Sequence, residues 1–224
     1  MVRSWEKIVW MLVFVMAVAV AAGMLGAGQA EAAVAEAVAA DALRLGEVLA
    51  GPARDWDGDG VFDAKNDEWV EIANAGGAAL ALDEYRVADA DTTIRYAFSG
   101  TLAAGAVLLV TGSQALAWQR SVGRTTSGLS LNNAGDTVFL LRVAGGDTTV
   151  VDEHKYGSIE GASDRSTGRA DSASDTWILF DALNPYTGSG TPSGTGCPPT
   201  PGGPNGCTTD VGMTTWGAIK RLYR

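Results

Sequence analysis

Between residues 43 and 180 the apolar side chains fall in short runs that alternate with polar ones, and clusters of turn residues separate the runs. Leu43-Arg44-Leu45-Gly46-Glu47-Val48-Leu49 and Trp69-Val70-Glu71-Ile72 show the two-residue period of half-buried strands. Further strands are predicted at Tyr85–Val87, Ile94–Phe98, Ala106–Val110, Thr137–Val143, Val150–Glu153 and Trp177–Phe180. Turns are marked by Asn74-Ala75-Gly76-Gly77, Ser99-Gly100, Asn133-Ala134-Gly135-Asp136 and Gly145-Gly146-Asp147. One short helix is expected near Ser113–Gln119, with Ser113 as its N-cap. The spacing leaves no sequence for crossover helices, so a parallel α/β sheet is disfavoured and an antiparallel all-β sandwich is expected. Apolar residues make up 46% of the chain, enough to fill such a core.

The first thirty residues have a different character. Arg3 and Lys7 precede an almost wholly apolar stretch from Ile8 to Leu25, and Ala30-Glu31-Ala32 supplies small residues where a signal peptidase reads. Residues 1–32 read as a secretory signal peptide; the competing reading is an uncleaved membrane anchor. Cleavage would remove Arg3, Lys7, Glu6 and Glu31 and leave the net charge of −10 unchanged. An acidic balance of this size argues against nucleic acid as the main partner, because phosphate neutralisation needs a basic face. In an oxidising compartment Cys197 and Cys207 can close a small loop; free thiols are the alternative.

Asp55-Trp56-Asp57-Gly58-Asp59-Gly60-Val61-Phe62-Asp63 carries the strongest chemical signal. Calcium needs several hard oxygen ligands around one point, and carboxylates at alternate loop positions provide them. Asp55, Asp57 and Asp59 match positions 1, 3 and 5 of such a loop, with Gly60 at the sharp turn. The Val61 carbonyl and Asp63 match positions 7 and 9, and Phe62 is the expected apolar anchor between them. Asn66 stands where a bidentate Glu is usual; Asp67 or Glu68 can substitute only if the usual helix does not follow the loop, and the strand expected at Trp69 meets that condition. The alternative is a solvated acidic turn, since Asp and Gly are good turn residues.

The strand motifs also carry a likeness. Leu45-Gly46-Glu47-Val48-Leu49, Asp67-Glu68-Trp69-Val70-Glu71-Ile72-Ala73-Asn74, Leu80–Asp89, Leu102-Ala103-Ala104-Gly105-Ala106 and Pro199–Asn205 follow one another in the order and spacing of lamin tail domains. The chain resembles the bacterial, exported members of that family over about residues 43–207, with Glu84 standing where the pattern has Gly. The resemblance implies an immunoglobulin-like antiparallel β-sandwich with a binding or scaffolding role. It names no common ligand, and fold alone supplies none.

Other residues invite functional readings that a packed sandwich explains as well. His154 is the only histidine and has no nucleophile-elbow sequence to serve. Glu47 and Glu71 could form a glycosidase pair, but they belong to the strand pattern and could equally cap strand edges or meet the acidic loop. Trp56, Trp69, Trp118 and Trp177 could build a sugar platform, although aromatics in a sandwich are first of all packing groups. Trp216, Ile219 and Tyr223 share one face of a basic C-terminal helix that reads either as a docking element or as a frayed end. The expected layout is a signal helix over 1–32, a flexible lead-in over 33–42 and the sandwich over 43–185. A Gly/Pro/Ser/Thr-rich linker follows over 186–214, and a basic amphipathic tail over 215–224. The function expected is that of a secreted or cell-envelope-associated, non-enzymatic module with a structural calcium ion and a protein or glycan partner at the cell surface. It would meet a membrane only through an uncleaved signal segment. An accessory protein of an envelope hydrolase and an adhesin or carbohydrate-binding module are the alternatives.

Overall fold

The computed structural model describes residues 42–171 and 174–206. The signal segment, most of the lead-in, Cys207 and the basic tail lie outside the described residues. Among the described residues there are eleven strands and one helix: β1 (Leu43–Leu49), β2 (Trp69–Asn74), β3 (Leu80–Ala81), β4 (Tyr85–Ala88), β5 (Ile94–Ala97), β6 (Thr101–Leu102), β7 (Val107–Thr111), α1 (Gly112–Ser121), β8 (Gly135–Ala144), β9 (Asp147–Gly157), β10 (Ser166–Arg169) and β11 (Trp177–Phe180). A five-stranded sheet runs β11-β10-β1-β2-β7, a four-stranded sheet runs β5-β4-β8-β9, and β3 pairs with β6. Every ladder is antiparallel. This is an antiparallel β-sandwich, as the alternation predicts, of the immunoglobulin-like kind that the resemblance implies.

The register of β1 on β2 sorts apolar from acidic residues. Leu43 pairs with Asn74, Leu45 with Ile72 and Val48 with Val70, with a bulge between Leu45 and Glu47. Because side chains alternate along a strand, the extra residue Gly46 restores apolar residues to one face after the bulge. Leu43, Leu45, Val48, Val70 and Ile72 therefore share a face, and all are buried. Glu47 and Glu71, which pair with each other, fall together on the opposite face. A side chain at Gly46 would place its Cβ 2.9 Å from the Glu71 carboxylate, so only glycine lets that group lie against the bulge.

Two elements differ from expectation. The helix is capped by Thr111 rather than Ser113: the Thr111 hydroxyl accepts the Gln114 N–H while the Gln114 side chain accepts the Thr111 N–H. Thr111-Gly112-Ser113-Gln114 is thus a reciprocal capping box, which outcompetes a lone serine two residues later. Strand β10, Ser166-Thr167-Gly168-Arg169, has no apolar periodicity and was not predicted, yet all four residues are buried between β1 and β11. Its polar side chains bond to groups on neighbouring strands, which substitutes for apolar packing: Ser166 to Glu47, Thr167 to His154, and Arg169 to Asp152 and the Leu45 carbonyl.

Candidate metal centre in the β1–β2 loop

The acidic loop leaves the sheet after β1 and returns at β2. Gly58 and Gly60 adopt φ of 78° and 88°, a conformation that residues with a Cβ rarely take, so the glycines let the loop turn twice within three residues. The Asp55 carboxylate accepts the N–H groups of Gly58 (2.7 Å) and Gly60 (2.8 Å). Asp57 accepts the Asp59 N–H and Asp59 accepts the Val61 N–H, each through one oxygen. These local bonds turn three carboxylates toward one point, and ligand atoms of Asp55, Asp57 and Asp59 all lie within 4.8 Å of one another. A carboxylate has about four lone-pair sites, so accepting one or two amides leaves capacity for a cation.

The other expected ligands take different places. Asp63 spends one oxygen on the N–H groups of Lys65 (2.8 Å) and Asn66 (3.0 Å). The Asn66 and Lys65 bonds hold its carboxyl below the ordinary range. Asp67 is fully buried and ties the two ends of the loop together: it accepts from Trp56 N (2.6 Å), Asp57 N (3.0 Å) and Asp63 N (2.7 Å). It therefore holds the loop's shape from below and does not join the three converging carboxylates. Glu68 turns inward, where it accepts the Leu131 N–H; burial pushes its carboxyl up to about 8. It belongs to the core rather than to the loop. Phe62 is 51% exposed and Val61 66% exposed, so Phe62 is no apolar anchor. The anchor is Trp56 instead: its ring meets Trp69 edge-on at 6.1 Å and its indole N–H donates to Asp164 at 3.0 Å. Asp164 also accepts from Ala53 N and Arg54, binding the start of the loop to the β9–β10 connection.

The start of α1 presses on the loop's return. Gly112 N donates to Glu68 O (2.7 Å) and Ser113 N to Asn66 O (3.1 Å). A Cβ on Gly112 would sit 1.7 Å from the Lys65 carbonyl, so the approach requires glycine.

Glu47 and Glu71 lie apart from this loop, on the face bared by the bulge. Glu47 accepts from the Ser166 hydroxyl and from the N–H and hydroxyl of Thr200, while Glu71 accepts the Gly202 N–H at 2.8 Å. Asn205 donates to the carbonyls of Gly46 and Arg169. The Gly/Pro-rich segment, irregular as its composition expects, is thereby strapped across the sheet through residues 200–205. Burial, and then the Glu47 charge, push Glu71 up to about 8; burial raises Glu47 too. Covered by the strap and wholly inaccessible, the pair cannot meet a glycosidic bond.

His154 is likewise closed off. It stacks on Trp177 at 3.5 Å between ring centroids, and its Nε2 lies 3.2 Å from the buried Thr167 hydroxyl. Burial and the Arg169 charge lower it to about 3, so the ring is neutral. Trp69 is fully buried, and the four tryptophans form no common platform. Cys197 is buried and disulfide-bonded. No described helix is long and apolar enough to cross a membrane.

The family model described as Lamin Tail Domain matches residues 37–158, more than half of the chain. That span takes in β1 to β9, the acidic loop and α1, and ends before β10. No curated protein matches the chain.

Proposed function

The chain belongs to the lamin tail domain family, and from that premise we propose that it is an exported, non-enzymatic binding or scaffolding module whose acidic loop is stiffened by calcium. The observation that carries the calcium reading is the convergence of Asp55, Asp57 and Asp59 on a loop whose ends Asp67 fastens. Three carboxylates brought this close repel one another in water, and a hard divalent cation relieves that repulsion. The Val61 carbonyl and Asp63 are next along the loop to complete an oxygen shell. Magnesium suits the site less, since it keeps its waters and takes fewer carboxylates. Secretion is supported by the signal-like segment 1–32 and by the bonded Cys197, disulfides being features of oxidising compartments. The non-enzymatic reading is supported by the burial of His154, Glu47 and Glu71, the residues best suited to acid–base work. The partner would be a protein or glycan met at the cell surface.

Calorimetric titration of calcium into the full chain tests this reading, with thermal melting alongside. Saturable binding is expected, with a melting temperature that rises with calcium concentration because the ion binds only the folded loop. Asp57→Asn combined with Asp59→Asn should abolish both effects while leaving the calcium-free melting temperature nearly unchanged. A chain that neither binds calcium nor melts higher in its presence would reduce the loop to a solvated turn.

A further inference from the structure

A second feature lies away from the acidic loop, where β5, the end of α1 and the segment before β8 line a half-open cavity of about 700 Å³. That volume is in the range of small-molecule sites. Its wall is rich in hydroxyls, from Thr93, Thr125, Ser127 and Ser130, with Arg95 and Arg124 beside them. A hydroxyl both donates and accepts, which suits a polyol better than an apolar ligand.

The floor is rigid. Gln119, only 1% exposed, donates to Arg95 O (2.9 Å) and Gly128 O (2.8 Å) and accepts from Ser127 N (2.8 Å) and Gly128 N (3.2 Å). One amide side chain thus ties the helix to β5 and to the 125–130 segment. Arg95 is equally fixed: Asp89 and Asp91 hold its charge, and it donates to the Ser127 hydroxyl at 2.6 Å. The described chain has three non-glycine residues at positive φ, and one of them, Ser130 at 59°, lines this cavity. Such conformations cost roughly 1 kcal/mol or more each and cluster at binding sites, where surrounding structure holds them.

The two arginines differ in one respect that decides the ligand's charge. Arg95 is neutralised, whereas Arg124 lies over the Trp118 ring, 5.6 Å from its centroid, and makes no ion pair among the described residues. The carbonyl end of α1 adds only partial negative charge nearby. Arg124 is therefore left to pair a single anionic group through its planar fork. Trp118 in turn meets Tyr96, and Tyr96 meets Phe98, so the ring under Arg124 is held by an aromatic cluster.

We propose that this cavity binds a saccharide bearing one anionic substituent, with Arg124 pairing the anion and the hydroxyl wall reading the sugar. The proposal rests on the binding-module reading above and supplies the partner's chemical class. A carboxylate or a sulfate would satisfy the same fork. The test is calorimetry on the full chain in calcium-free buffer, with methyl glucuronide, its methyl ester and a monosulfated methyl glucoside. Saturable binding of an anionic probe is expected, weakened about tenfold or more by Arg124→Gln and unaffected by Arg120→Gln, an exposed arginine outside the cavity wall. Binding of the glucuronate with loss on esterification would identify the carboxylate; binding of the sulfated probe alone would identify the sulfate. No saturable binding of either, or equal loss in both arginine variants, would overturn the proposal. Calcium binding on the same protein would stand or fall separately.

Discussion

Replacing Asp67 by alanine is expected to lower the unfolding free energy by about 2–4 kcal/mol and the melting temperature by roughly 5–15 °C. The reason is the number of donors that one carboxylate serves. Asp67 is fully buried and accepts the N–H groups of Trp56, Asp57 and Asp63. Alanine leaves all three without their acceptor and opens a polar gap beneath the loop. Water reaching Trp56 and Asp57, which are only half-buried, offsets part of the loss. The same substitution should weaken calcium binding strongly although Asp67 supplies no converging oxygen, because the loop's two ends are no longer held. Asp67→Asn keeps an acceptor for Trp56 and Asp57 but turns a donor toward Asp63 N, so it should fall between wild type and alanine. Chemical denaturation of the three proteins, with and without calcium, decides the matter. An alanine variant as stable as wild type would mean that the loop's shape does not depend on this clamp.

The second large effect concerns pH. Glu71 has an ordinary value of 4.5 and about 8 in the fold, because burial and the Glu47 charge oppose ionisation. The folded state therefore keeps a proton that the unfolded chain has released. Stability from this source is complete below pH 4.5 and is lost as pH rises toward 8. Glu68, raised to about 8 by burial, acts in the same direction. His154 acts oppositely: its value falls from 6.5 to about 3, so it costs stability only as pH drops below 6.5. Between pH 6.5 and 8 His154 no longer changes charge, and each of these two carboxyls should remove about 1–2 kcal/mol; Glu47, also raised by burial, acts in the same direction. Glu71→Gln cannot ionise and should reduce the fall over that window; adding Glu68→Gln should reduce it further. Thermal melts across this pH range provide the check. A wild type whose melting temperature is level from pH 6.5 to 8, or a Glu71→Gln variant that parallels it, would contradict the assignment.

What was legible in the sequence follows from how each element is stabilised. Strands β1, β2, β4, β5, β7, β8 and β11 hold enough alternating apolar residues to declare themselves. Strand β9 was read only at its middle, Val150–Glu153, because its flanks Asp147-Thr148-Thr149 and His154–Gly157 are largely polar or exposed. Strand β10 was silent, since Ser166, Thr167 and Arg169 are stabilised by partners more than one hundred residues away or on the adjoining β9, and a local pattern cannot show them. The strap was invisible for the same reason: Thr200-Pro201-Gly202-Gly203-Pro204-Asn205 reads as linker until Glu47 and Glu71 are placed beneath it. In the acidic loop the Asp55, Asp57 and Asp59 spacing was sufficient to bring three carboxylates together, because their bonds are local. The distinct roles of Asp67, Glu68 and Phe62 were not, because these depend on which way the chain enters β2. The strand begins at Trp69, and Glu68 just before it is buried while Phe62 is left exposed.

The most direct test of the proposed calcium site is luminescence of terbium, which occupies calcium sites and is excited through nearby indoles. Trp56 lies within the loop, between Asp55 and Asp57, and so reports on that site. Excitation of tryptophan should give terbium emission that saturates, declines as calcium is added in competition, and disappears in the variant carrying Asp57→Asn and Asp59→Asn. Absence of sensitised emission, or emission that persists undiminished in that variant, would show that the three converging carboxylates do not hold the ion.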